Sequence, residues 1–272
     1  MYKMKISNIR SGKEGHDMGN ISSVAGNGYY NSVSQIASGT KLGSAADGAA
    51  ELAIAEKETA QVNGLNMGQR NAEDGKSLLK TADGAMGNIA DSLTRIRELA
   101  VQASNTAILS DEDRRMIQDE VDQLKQGISD IANNTEFNKK KLLDGSYSDG
   151  FIATGANGSG VTLDIGNATL QALGIEDFDV TGDFSVQTID KALGMVSSDR
   201  STIGAQSNSL EYSVSYNSEA AINLNAAASR LKDTDLAETA TEMSKKKLLQ
   251  TYQLLMQKKQ QDQERQKFSL FF

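Results

Sequence analysis

The chain has 272 residues, 38% of them hydrophobic but only 5% aromatic, with no Trp, Cys or Pro and a formal net charge of -8. That length can bury a substantial core, yet the scarcity of large rigid side chains argues against deep small-molecule pockets, and the lack of Cys excludes disulfides, thiolate catalysis and Cys-ligated metals. Proline inside a helix costs about 3 kcal/mol, so its absence leaves very long helices open.

The opening MYKMKISNIRSGKEGHDMGN is charged throughout, with no apolar core of signal-peptide length, and no stretch approaches the roughly 20 apolar residues of a membrane span. Charge is uneven. Residues 244–272 carry seven Lys or Arg against two acids and residues 1–30 carry four against two, which leaves a net of -15 between them. Two basic ends flank an acidic middle.

In chain order, residues 1–34 are polar and carry Gly12, Gly15, Gly19, Gly26 and Gly28. Asp47–Ala50 and the repeated Asn, Gln and Ser over 60–76 predict a helix with a weak apolar face. Leu79, Ala82, Met86, Ile89, Leu93, Ile96, Ala100 and Ala103 then follow at spacings of three and four, the seam of a helix that packs lengthwise on others. Asn105–Leu109 break it. Ser110 and Asp113 form an S-x-x-D start for a second helix, whose seam is Ile117, Val121, Leu124, Ile128 and Ile131. Its first turn places Asp111, Glu112 and Asp113 at the positive end of the helix dipole. A short connector between two such helices predicts an antiparallel pair.

Residues 144–187 change character: DGSYSDG and TGANGSG alternate with Val161–Ile165 and Phe178-Asp179-Val180, which read as turns joining strands. A third seam follows, with Ile189, Leu193, Val196, Ile203, Leu210, Val214, Ala221, Leu224, Ala228 and Leu231 in one heptad register and Arg200, Ser207 and Asn217 in the remaining positions. It predicts a helix of about 40 residues, about 60 Å long. The tail holds Lys245–Lys247, Lys258, Lys259, Arg265 and Lys267, while Leu248, Leu249, Tyr252, Leu255 and Met256 keep a helical apolar face. An amphipathic helix packing on a partner helix accounts for it better than a nucleic-acid or membrane site.

The whole predicts a mainly α fold: an elongated helical bundle or coiled coil formed by the N- and C-terminal segments, with a small β-hairpin region in the middle. Nucleotide-loop, zinc-protease and nucleophile-elbow motifs are missing, and the single His16 lies in a Gly-rich segment. No enzyme activity, cofactor or metal is expected, and Asp111–Asp113 are expected to serve the helix start rather than a cation.

Residues 35–143 resemble the N-terminal part of bacterial flagellins through QIASGTKLGSAADGAAELAIAE, NGLNMGQRNAEDGKSLLKTADGAM, LTRIRELAVQASNT and NTEFNKKKLLDG, and LNAAASRLKDTDLAETATEMSKKKLL resembles the family's returning helix. The resemblance implies a short form without large outer domains: a terminal coiled-coil module from 1–46 and 234–272, a helical rod from 47–143 and 188–233, and a variable region over 144–187. It implies a structural subunit that polymerises into an extracellular flagellar filament, exported through the type III apparatus without a cleaved signal peptide. The implied partners are copies of itself, a secretion chaperone at the C-terminal helix, and the filament cap and junction proteins. A vertebrate Toll-like flagellin receptor is implied to contact Arg95, Leu99 and Glu120. The terminal helices, with Leu248, Leu249, Tyr252, Leu255 and Met256, are the expected subunit interface. The opening MYKMKISN also resembles the hook-filament junction protein, which stands with a minor filament variant as the alternative. A surface-binding or membrane-active coiled coil using the basic tail is a third reading.

Overall fold

A computed structural model describes residues 29–269, with side chains to residue 266. The chain divides into two compact units, one containing residues 60–224 and the other pairing 29–59 with 225–269 among the described residues. Residues 29–38 are helical (α1); α2 (Ala45–Ala103) and α3 (Asp111–Asn134) follow. Two antiparallel hairpins, β1 (Glu136–Phe137) with β2 (Lys140–Lys141) and β3 (Gly150–Ala153) with β4 (Gly160–Leu163), lead to the single turn α4 (Leu170–Leu173). The long α5 (Val186–Lys232) and α6 (Leu236–Ser269) complete the chain.

The unit of residues 60–224 holds a continuous apolar core. All eight seam residues of α2 from Leu79 to Ala103 are fully buried, and Val121 and Ile128 of α3 and Ile189 and Leu210 of α5 join them. Each such Leu or Ile contributes about 1.5–3 kcal/mol through burial, which is why the three- and four-residue spacing dictates the packing. Ion pairs fix the register along the seam's flank: Arg97 with Asp190 at 2.6 Å, Arg200 with Asp83 at 2.8 Å, and Lys76 with Glu211. Partner numbers fall on α2 as they rise on α5, so these helices run antiparallel.

α3 starts at a full capping box. Ser110 Oγ accepts from the Asp113 amide at 3.2 Å and the Asp113 carboxylate accepts from the Ser110 amide at 2.9 Å, which satisfies two otherwise orphaned donors. These bonds hold the Asp113 carboxyl below its ordinary pKa, the Ser110 hydroxyl first and its amide second. The acidic cluster at 111–113 thus includes a cap residue.

The segment predicted to have a weak apolar face is the first half of α2, and the hairpin explains its composition. An ideal Cβ on Gly68 would meet the Thr154 carbonyl oxygen at 2.0 Å, one on Gly64 would meet Ala156 Cα at 2.9 Å, and one on Gly75 would touch Leu210 and Ile152. The β3–β4 hairpin therefore lies against bare helix backbone. Asn71 Nδ2 donates to the Ala153 carbonyl at 2.8 Å and the buried Asn217 Nδ2 to the Thr154 carbonyl at 2.7 Å. Asn217, a polar residue in a seam, is retained because it closes the hydrogen bonding of the hairpin's inner edge.

Two expectations over 144–187 need correction. Val161–Leu163 do form a strand, within β4, but Asp164 and Ile165 lie beyond it. Phe178-Asp179-Val180 is a loop, not a strand: Arg114 donates to the Val180 and Gly182 carbonyls, Lys125 to the Phe178 carbonyl, and the Val180 amide donates to Gln118. Side chains of α3 occupy the backbone groups that a neighbouring strand would need, while Phe178 and Val180 fill the core.

Candidate assembly surface

In the other unit the two chain ends meet through backbone as well as side chains. The Lys41 amide donates to the Lys232 carbonyl at 2.7 Å, the Thr234 amide to the Gly39 carbonyl at 3.1 Å, and Thr40 bridges Asp233. Gly39 turns the chain after α1 with φ +70°, a left-handed conformation that other residues adopt at a cost. Asp235 starts α6 by accepting from the amides of Ala237 and Glu238 at 2.9 and 3.1 Å.

α6 carries its polar and apolar faces the wrong way round for a helix packed only within its own chain. The side that is buried or half-buried is Thr239, Met243, Lys246, Gln250 and Gln253, at alternating spacings of four and three. Lys246 Nζ donates to Ser32 Oγ of α1 at 3.0 Å and pairs with Glu242 at 3.1 Å. At about 100° per residue, Leu248, Leu249, Tyr252, Leu255 and Met256 span an arc of about 120° on the opposite side. Their exposures are 71, 49, 61, 60 and 43%. The predicted interface residues thus lie together on one exposed face.

α1 repeats the inversion in part, with Tyr29 and Ile36 half-buried beside Ser32. Ser32 is 1% exposed, whereas Tyr30 and Val33 face outward at 69% and 38%. Sequence reasoning did not single out Tyr30 and Val33; their three-residue spacing, continued by Ala37, was the available signal. Among the described residues, every member of the buried apolar cluster belongs to the other unit, between Ala72 and Leu210. This unit buries Leu42, Ala55 and Ala228 but leaves its largest apolar side chains in water. Covering the five α6 residues would be worth about 1.5–3 kcal/mol each for full burial. Lysines 245, 247, 258 and 259, with Arg265, are exposed along the same helix.

Arg95, Leu99 and Glu120 lie in the unit of residues 60–224. Arg95 Nη2 meets Glu120 at 2.8 Å across α2 and α3, and Arg95 Nη1 meets Glu98 at 3.1 Å. These carboxylates raise the Arg95 pKa further, the hydrogen bond that Glu120 accepts from it first. Leu99 is 2% exposed and belongs to the core. Two of the three residues form a surface ion pair, and the third is a core residue.

His16, the glycines from Gly12 to Gly28 and the opening MYKMKISN lie outside the described residues. Among the described residues no cluster of His, Cys, Asp or Glu could hold a metal ion, and no helix is long and apolar enough to cross a membrane.

Comparison with known proteins agrees with this architecture. Residues 21–148 match the bacterial flagellin N-terminal helical region and residues 186–266 the bacterial flagellin C-terminal helical region. The chain is 38% identical to a flagellin of Bacillus subtilis (strain 168), covering 84% of this chain and 88% of that one. It is 36% identical to the flagellar filament core protein flaB2 of Brachyspira hyodysenteriae, covering 81% and 84%. The crystal structure of Bacillus cereus flagellin matches 54% of this chain and 88% of that chain at 31% identity, with a TM-score of 0.48. A putative flagellar hook-associated protein from Vibrio parahaemolyticus has a TM-score of 0.55 over 69% of this chain and all of that one, at 16% identity, which speaks to the fold alone. The junction-protein alternative is not favoured by the filament relatives.

Proposed function

The chain belongs to the bacterial flagellin family and is a structural subunit of the flagellar filament, and from that premise we propose that the outward apolar faces of α6 and α1 are where its copies stack. The observation that carries this reading is the inversion of α6, whose polar side faces its own chain while Leu248, Leu249, Tyr252, Leu255 and Met256 stand in water. A helix built this way gains most of its burial from a second copy. Filament proteins are components of the extracellular flagellum, which sets the compartment.

We further propose the division of labour in which 1–46 and 234–272 form the terminal module, 47–143 and 188–233 the rod, and 144–187 the variable region. The same exposed α6 face is a binding surface for a secretion chaperone before assembly, since an apolar face of this size needs cover in the monomer. Cap and junction proteins would meet the same terminal module. A Toll-like flagellin receptor would contact the Arg95–Glu120 ion pair directly, with Leu99 acting through its packing.

Removal of residues 244–272 tests the assembly reading. The truncated chain is expected to remain a soluble helical monomer that forms no filaments by sedimentation and electron microscopy. Filaments of normal length from that chain would refute it.

A further inference from the structure

Lys139, Lys140 and Lys141 are the longest run of cations in a unit that is otherwise strongly acidic: residues 60–224 hold 13 Lys or Arg against 24 Asp or Glu. Lys141 pairs with Glu136 at 3.5 Å. Lys139 and Lys140 are exposed and have no acidic partner among the described residues. The three lysines form one wall of an open cleft of about 540 Å³ whose other wall is Ser146–Phe151, with Phe151 58% exposed.

Tight turns shape the backbone around this cleft. Asn138, Lys139 and Asp149 have φ of 47°, 65° and 55°, and among the described residues they are the only non-glycine residues with positive φ. Asn suits such a turn position; Lys does not, and glycine would relieve it. Because Phe137 pairs with Lys140, Asn138 and Lys139 are the two loop residues of the β1–β2 hairpin, a turn that requires positive φ at both positions and presents Lys139 at its tip.

Copies of an acidic unit repel one another when a filament brings them side by side, unless opposite charges meet locally. Along α3, Glu112, Asp119, Asp122 and Asp130 are exposed; Glu112 pairs with Arg115 at 3.4 Å and Asp122 with Lys125 at 3.7 Å, which leaves Asp119 and Asp130 without a cation partner among the described residues. We propose that the Lys139–Lys141 cleft of one copy docks on the acidic outer face of α3 of a second copy. The contact joins two different patches, so it is heterologous and propagates as an open polymer requires. The inference rests on the assembly reading above.

Reciprocal charge exchange in the full-length chain tests it. Lys139→Glu with Lys140→Glu, and separately Asp119→Lys with Asp122→Lys, should each raise the critical concentration for polymerisation about tenfold, as repulsion replaces attraction, with unchanged helical circular dichroism. An equimolar mixture of the two variants should co-assemble near the wild-type concentration, because each supplies the charge the other lost. Lys139→Gly should raise the monomer's melting temperature yet still weaken assembly. Normal assembly of either charge variant alone, or no rescue on mixing, would overturn the inference while leaving the assembly reading intact. Failure of the wild-type chain to polymerise would instead defeat that reading.

Discussion

Replacing Gly68 by Ala should destabilise the monomer, although the same exchange at Gly84 of α2 should stabilise it. The new Cβ would stand 2.0 Å from the Thr154 carbonyl oxygen and 3.2 Å from Asn217 Nδ2, whereas carbon and oxygen approach without strain to about 3.3 Å. The hairpin must retreat by more than about 1 Å, which disrupts the Asn71 and Asn217 hydrogen bonds to its backbone at 2.8 and 2.7 Å. Two such bonds are worth about 1 kcal/mol each and overpacking adds about 1–3 kcal/mol. Helix propensity returns about 1 kcal/mol, so the net loss is about 2–4 kcal/mol. Gly84 has nothing within 4 Å of its ideal Cβ, so Gly84→Ala should gain about 0.5–1 kcal/mol. Urea unfolding of both monomeric variants, with equal m-values, measures the two effects. A Gly68→Ala chain as stable as the Gly84→Ala chain would refute the close approach of hairpin to helix.

Other consequences follow from single sites. Ser110→Ala removes the capping hydroxyl of α3 and should cost about 1 kcal/mol in urea unfolding; no change would mean that the connector holds the helix start by other means. Burial first, and Asp164 second, push the Asp199 carboxyl above its ordinary pKa. Its ionisation therefore costs stability as pH rises from the unfolded carboxylate value through the raised folded one. Asp199→Asn should be the more stable chain at neutral pH, and its advantage should vanish in acid; an advantage confined to acid would contradict the assignment. Leu99→Ala should lose about 2–5 kcal/mol as a core truncation, while Arg95→Ala should leave the melting curve nearly unchanged, a contrast read by thermal unfolding.

The sequence was most informative where one physical pattern acted alone. The three seams buried as their spacing required because heptad packing depends on little beyond apolar periodicity, and the S-x-x-D start gave the capping box directly. The hairpin's seat was hidden: Gly64 and Gly68 weakened the helix signal, and their purpose depends on Ala156 and Thr154, some ninety residues away. Phe178–Val180 had strand composition, but Arg114, Gln118 and Lys125 captured its backbone groups. The apolar residues of α6 were visible in the sequence, whereas the polar character of its packed face emerged only from burial at Lys246, Gln250 and Gln253.

The chain contains no cysteine, so one introduced thiol reports on one position. Leu255→Cys should react readily with a maleimide in the monomer, where Leu255 is 60% exposed, and the rate in assembled filaments should fall about a hundredfold or more if the face is covered. Equal labelling in filament and monomer would contradict the claim that this face of α6 joins the copies.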